Sequence, residues 1–393
     1  MKERCTVVKL NLQFHEDSAI FSVAAVERGG KTVIATAGGD KAIRLWEYAY
    51  TGEPPREEFE YKTALSEGCA ITHIFTLAKH KGSVNSVEFS KDGKYLVSGG
   101  DTGTVFLWDV EEVMQSTPSE EDRKYQGQPV LVRESDGADI YEVKWFAGKI
   151  LVGTSAGRVE QYALSTVFPG NSQGKEKAKG GGVLPESAAA EQGGKEAKKP
   201  GVKIRMIEEF APSLAAKCVS SKQVHKDTIQ GIACTEGMFA TIGNDRVVKV
   251  FSQDGKLIQK VSKKSLISDK HAFFFRRLFF GPDGSLYLPS ATHEGKNTVN
   301  ILSPPEYRVT KAIQGFSSST VCALVTQRFL VVSEGRNLYV FSEKEHALAF
   351  RIADCAFLPI TDVVCIQDTP EKVSLLVSSN DGFLSNLIVY SAE

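Results

Sequence analysis

No stretch of the 393-residue sequence approaches the ~20 consecutive apolar residues that a membrane-crossing helix requires, so no segment is expected to span a bilayer. The seven cysteines, at 5, 69, 218, 234, 322, 355 and 365, are odd in number, scattered, and never spaced C-x-x-C, which argues against a disulfide framework or a zinc site. The seven histidines, at 15, 73, 80, 225, 271, 293 and 346, never stand four apart, so a metal-ligating pair on one helix face has no warrant either. Net charge is almost absent: 47 Lys and Arg against 48 Asp and Glu leave −1, too little positive charge to coat nucleic acid, and DNA is expected to be met only indirectly. Met1-Lys2-Glu3-Arg4 leads into a strand-like segment without an apolar signal core, and no N-x-Ser/Thr sequon occurs, so a cytosolic or nuclear fate is expected over a secreted one. With 42% hydrophobic residues, 34 Gly and 14 Pro, the chain can bury a sizeable core.

What is present is repetition. Residues 31–47 run from Lys31 through Gly38-Gly39-Asp40 to Leu45-Trp46-Glu47, and residues 94–109 run from Lys94 through Gly99-Gly100-Asp101 to Leu107-Trp108-Asp109. Each follows an alternating segment, Ile20-Phe21-Ser22-Val23 or Val84-Asn85-Ser86-Val87-Glu88-Phe89, with the period of a half-buried strand. A third copy spans Ile140 to Tyr162, a fourth His225 to Phe251, and weaker ones lie at 273–302, 320–341 and 360–390. Seven units, each of about four short strands closing on an aromatic-plus-acid signature, predict an all-β, seven-bladed WD-repeat β-propeller. The expected organisation is a single domain over 1–393 with long connections between blades at 51–76, 111–138 and 164–222. Within the last of these, 168–202 is rich in Gly, Ala, Lys and Glu and is expected to be a disordered, solvated insert. The last unit offers about three strands, so the spare segment Cys5–Leu12 is expected to complete it and close the ring.

Several patterns resemble chemistry. His15, Asp40 and Trp46 of the first unit recur as His225, Asp245 and Phe251 of the fourth, and in such a blade the pair can pin the fold as buried, mutually satisfied polar groups. The second unit keeps His80 and Trp108 but has Thr102 six residues before the Trp, so its network should be incomplete. Gly153-Thr154-Ser155-Ala156-Gly157 matches G-x-S-x-G, yet Ser155 falls in a turn between strands and no helix follows. Gly29-Gly30-Lys31-Thr32 mimics the end of a phosphate loop whose first Gly is replaced by Ala25. No catalytic, metal or cofactor residue is therefore expected.

The most selective segment runs from His271 to Leu286: Phe273-Phe274-Phe275-Arg276-Arg277-Leu278-Phe279-Phe280, then the turn Pro282-Asp283-Gly284. Aromatics on both faces predict a strand buried between blades. Successive strand residues face opposite ways, so Arg276 and Arg277 cannot share one environment, and at least one needs carboxylates, carbonyls or the central channel. They either hold blades together or contact an acidic partner.

This segment resembles the WD-repeat middle subunit of chromatin assembly factor 1, a family with a closely similar Phe-Phe-Arg-Arg-Leu stretch before Pro-Asp-Gly-Ser-Leu. Leu77-Ala78-Lys79-His80 before Val84-Asn85, Asp139-Ile140-Tyr141, His225-Lys226 before Ile229-Gln230-Gly231, Asp245-Arg246-Val247, and Ile360-Thr361-Asp362 with Ser378-Ser379-Asn380-Asp381-Gly382-Phe383 match the family in order, from about residue 12 to 390. The resemblance implies a non-catalytic nuclear scaffold of a histone chaperone complex that deposits histones three and four onto newly replicated DNA, held by the large subunit. It also implies contact with an anti-silencing-type histone chaperone. That contact usually resides on a tail beyond the propeller, whereas this sequence stops at Glu393. The alternatives are a replication-independent histone chaperone regulator of the same propeller type and a substrate adaptor of a ubiquitin ligase.

Overall fold

The computed structural model describes residues 4–10, 14–50, 63–66, 69–167, 213–261 and 275–390. The chain divides into two compact units, Met1–Leu164 with Ala216–Glu393, and Ser165–Ala215. Among the described residues the strands form seven antiparallel sheets, the blades of a propeller. The second is typical: Val84–Phe89 is innermost, followed outward by Tyr95–Gly100, Val105–Asp109 and Val130–Arg133. The inner strand Val84–Phe89 is buried almost throughout because it lies against neighbouring blades as well as its own sheet, whereas the outermost strands Leu257–Val261 and Leu348–Ile352 are mainly exposed.

That gradient of burial explains a correction to the connections read from sequence. The stretches 51–76, 111–138 and 164–222 supply outermost strands as well as links: Cys69–Leu77 with Thr63–Ser66 beside it, Val130–Arg133, and Ser213–Gln223. An outermost strand needs little apolar patterning, and Ser213–Gln223 reads SLAAKCVSSKQ. Residues 168–202 lie outside the described residues. In the seventh sheet the fourth strand is Arg4–Lys9, antiparallel to Leu384–Tyr390 in a register running from Arg4 opposite Tyr390 to Lys9 opposite Ser385.

The core lies between blades. Ala35, Ala37 and Leu45 of the first blade pack with Val84, Val87 and Trp108 of the second, and Ile34 and Trp46 pack with Leu376 and Ile388 of the seventh. Glycine makes room where two strands approach. A Cβ on Gly99 would stand 2.8 Å from Ile140 Cγ2 of the next blade, and one on Gly153 would stand 2.8 Å from Ile229 Cγ2.

The inner strands share an irregularity. The pairing slips just after the first residue in six of them, between Ile20 and Ser22, Val84 and Ser86, Ile140 and Glu142, Ile229 and Gly231, Thr320 and Ala323, and Ile360 and Asp362. Such bulges free a residue from the ladder and redirect its side chain. The fifth blade departs from the rest, since its inner strand is only Phe279–Phe280. The stretch read from sequence as a strand between blades is therefore corrected. The amides at 276 and 277 bond outward, to Gln230 O at 3.0 Å and Val321 O at 3.1 Å, which stitches the fourth and sixth blades instead of extending a fifth-blade ladder.

The Gly-Gly-Asp turn gives a sharp test. A Cβ on Gly38 would fall 1.9 Å from Ala19 O, while one on Gly39 meets nothing nearer than 3.6 Å. Gly38→Ala is expected to lower stability by about 1–3 kcal/mol through overpacking, and Gly39→Ala to leave the melting temperature nearly unchanged; equal effects in thermal melts would contradict the geometry.

Candidate functional site

Two constellations in the propeller have the outline of catalytic triads. His15 Nδ1 lies 2.7 Å from Asp40 Oδ1 and its Nε2 lies 2.8 Å from Thr36 Oγ1, which also accepts from Trp46 Nε1 at 2.9 Å. Arg44 adds a charge-assisted bond to the other oxygen of Asp40. Arg44 Nη1 also stands 2.9 Å from His15 Nδ1, and the Thr36 hydroxyl, which accepts from the indole, has its own proton to give to Nε2. Burial holds the His15 pKa below its usual value even though Asp40 opposes the shift. Burial tends to raise Asp40, but His15 and Arg44 overcome it and hold the carboxyl down to about 2.

In the fourth blade His225 Nδ1 lies 2.9 Å from Asp245 Oδ1 and Nε2 lies 2.8 Å from Thr241 Oγ1, with Phe251 in place of the Trp. In both blades the Thr that would act as nucleophile is fully buried. No substrate can reach it, and at Thr36 the hydroxyl is already engaged on both sides. The second blade has His80 Nε2 at 2.8 Å from Ser98 Oγ, which accepts from Trp108 Nε1 at 3.0 Å. Here His80 Nδ1 is buried without a partner, Thr102 sits at positive φ, and burial pulls the His80 pKa down to about 4. The hydroxyls of Thr36, Ser98 and Thr241 were missed in the sequence, although each stands ten residues before Trp46, Trp108 or Phe251.

The central channel gathers charge from four blades. Arg277 donates from Nη1 to Glu142 Oε2 at 2.6 Å, and from Nη2 to Phe21 O at 2.9 Å and Asn85 O at 3.2 Å; its Nε lies 3.8 Å from Asp362 Oδ1. Phe21 and Asn85 are bulged residues, so the slips in the inner strands turn their carbonyls toward the guanidinium. Desolvation alone would lower the Arg277 pKa, but Glu142 and Asp362 more than compensate and raise it. Ser22 Oγ donates to Asp362 Oδ2 at 3.1 Å, Ser86 Oγ donates to Glu142 Oε1 at 3.1 Å, and Lys144 Nζ stands 3.2 Å from the same Glu142 oxygen. Arg276 is also buried but faces elsewhere, and burial with the positive charge of Arg246 brings its pKa down to about 10.

Arg277 separates two hollows. The first, of about 360 Å³, is lined by Glu88, Glu142, Lys144 and Asp362 with the thiols of Cys322 and Cys365. Glu88 accepts from Trp145 N at 2.6 Å, and desolvation, with Glu142 and Asp362 adding to it against Lys144, pushes its pKa up to about 7. Burial pushes the Cys322 and Cys365 thiols up to about 12, so neither supplies a thiolate nucleophile near neutral pH. The second hollow, of about 490 Å³, opens at the other mouth among Phe21, Tyr141, Phe275, Asp101 and Asp139. Ser155 occupies the turn between the strands Lys149–Thr154 and Arg158–Val167, and Gly29 and Gly30 occupy another strand turn. Among the described residues no group of His, Cys, Asp and Glu is arranged to hold a metal, and no helix is long and apolar enough to cross a membrane.

Comparison with known proteins follows the fold. The WD domain, G-beta repeat family model matches residues 71–109. Over 317 residues the chain is 24% identical to the B subunit of chromatin assembly factor 1 from Gallus gallus, covering 75% of this chain and 46% of that protein. Over 314 residues it is 24% identical to Protein HIR1 of Eremothecium gossypii, covering 75% of this chain and 31% of that one. It thus spans less than half the length of these curated relatives. The crystal structure of the WD40 beta propeller domain of Doa1 superposes with a TM-score of 0.60 over 98% of this chain and 96% of that one at 15% identity, a likeness of fold alone. The chain is a seven-bladed WD40 propeller related to the B subunit of chromatin assembly factor 1 and to Protein HIR1.

Two outcomes follow from the channel. Arg277→Met takes the partner from Glu142 Oε2 and leaves only Lys144 and Ser86 on Oε1, and is expected to destabilise by about 3–5 kcal/mol, with Arg277→Met/Glu142→Gln recovering part of the loss in chemical denaturation; a double variant weaker than the single would refute the pairing. Glu88 holds its proton more tightly in the folded chain, so its contribution is full below about 4.5 and is lost as pH rises through about 7. Glu88→Gln should flatten the fall in melting temperature across that window, and an unchanged slope would remove Glu88 from the account.

Proposed function

We propose that this chain is a non-catalytic scaffold of a nuclear histone chaperone complex, the middle subunit of a chromatin assembly factor that deposits histones three and four onto newly replicated DNA. The observation that carries the reading is the relationship to the B subunit of chromatin assembly factor 1 across 75% of the chain. The chemistry of the propeller supports the non-catalytic half of it. The two triad-like sets have their hydroxyls buried, the channel thiols are protonated, and the channel cations are engaged by carboxylates. In this reading the large subunit of the factor holds the propeller, and histones three and four reach it directly or through that subunit. An anti-silencing-type histone chaperone is a further partner.

A second reading, a replication-independent regulator of the same propeller type, has its own support, because the identity to Protein HIR1 is the same 24% over a similar length. Affinity purification of the tagged chain from nuclear extract of replicating cells separates the two. Recovery of a large acidic subunit together with histones three and four is the expected result; recovery of replication-independent assembly components supports the second reading, and a cullin adaptor or coat proteins without histones would reject both.

A further inference from the structure

We infer that the channel mouth walled by Phe21, Tyr141 and Phe275 receives a cationic side chain, arginine or lysine, from an extended segment of a partner protein. The mouth is built by the inner-strand bulges: Phe21, Asn85, Tyr141 and Thr361 are the residues skipped in their ladders, and all four line it. Phe21 and Tyr141 flank Phe275, with ring centroids 5.7 Å and 6.1 Å from it. Three aromatic rings around one hollow of about 490 Å³ suit a flat or compact cation.

Charge points the same way. Asp101 accepts from Asn85 Nδ2 at 2.9 Å and Asp139 accepts from the Thr102 amide at 3.1 Å, each through Oδ1, which leaves both Oδ2 atoms available. Desolvation, and after it the charges of Asp139 and Asp101, raise the pKa of the half-buried Tyr141 hydroxyl. Among the described residues no lysine, arginine or histidine lines this mouth. Arg277 lies on the far side of the floor, 4.8 Å from the Phe275 centroid, with its charge matched by Glu142 and Asp362. At the rim Pro359 continues into Leu358 and Phe357, which are 48% and 57% exposed and whose amides are fixed on Asp381 Oδ2 at 3.1 Å and 2.7 Å. An apolar rim beside an acidic, aromatic hollow fits a peptide that presents one cationic side chain among apolar neighbours.

The test uses the full chain and a panel of fluorescein-labelled, end-capped hexapeptides, each with one arginine among alanine and leucine, against the same peptides with citrulline. Fluorescence polarisation at low ionic strength is expected to show saturable binding with a preference for arginine of about tenfold or more. Asp101→Asn/Asp139→Asn should abolish the preference at unchanged melting temperature, because the amide oxygens still accept the Asn85 and Thr102 bonds. Phe357→Ala/Leu358→Ala should weaken arginine and citrulline peptides alike. Equal binding of the two peptide sets, no saturable binding, or a preference that survives the double aspartate variant would overturn the inference. Purification of the complex is independent of this readout, so the scaffold assignment and the cation pocket can fail separately.

Discussion

A single guanidinium holds the ring of blades together from inside. The backbone of residues 276 and 277 bonds to the fourth and sixth blades, and the Arg277 side chain reaches carbonyls of the first and second, a carboxylate of the third, and the field of a carboxylate on the seventh. A planar fork with five donors can serve so many acceptors at once, whereas an ammonium could not. The surrounding groups are shaped by it. Glu142 lies between Arg277 and Lys144, Asp362 is oriented by Ser22 and the Val23 amide, and Glu88 is left as the surplus carboxylate that resists ionising. Three acids against two cations in a desolvated channel balance best when one acid keeps its proton.

The fold was legible because its signals are local. Gly-Gly-Asp turns, alternating inner strands and closing aromatics recur at short range, and the His and Asp of the blade networks sit at fixed offsets from those aromatics. The channel was not legible in the same way. Arg277 announced that it needed counter-charges, but Glu142 lies 135 residues away on another blade, and no spacing connects them. Only the closed ring brings them together. The outer strands escaped for the opposite reason: exposed on most sides, Leu257–Val261 and Ser213–Gln223 need no strong pattern to pair. The run of aromatics before Pro282 looked like a strand because its hydrophobicity suits one, yet the backbone at 276 and 277 serves two other blades.

The resemblance of Thr36, His15 and Asp40 to a hydrolytic triad shows why distances alone do not define a site. The spacing would suit proton transfer, but the hydroxyl is sealed and shared with an indole. In the first and fourth blades the polar chain links an Asp, a His and a buried Thr hydroxyl within one sheet. One short segment places Phe275 on the wall of a mouth and, two residues later, Arg277 among the carboxylates of the channel.

The close approach at Gly99 and Gly153 has a bearing on how such a ring can change through evolution. Each missing side chain is the socket for a particular isoleucine of the following blade, Ile140 in one case and Ile229 in the other. The same glycine-to-isoleucine fit thus recurs at two successive junctions, second blade against third and third against fourth. A blade copied into either place would bring a matching plug, whereas a larger residue at the glycine would have to be answered by a smaller one across the junction, so the two positions are free to change only together.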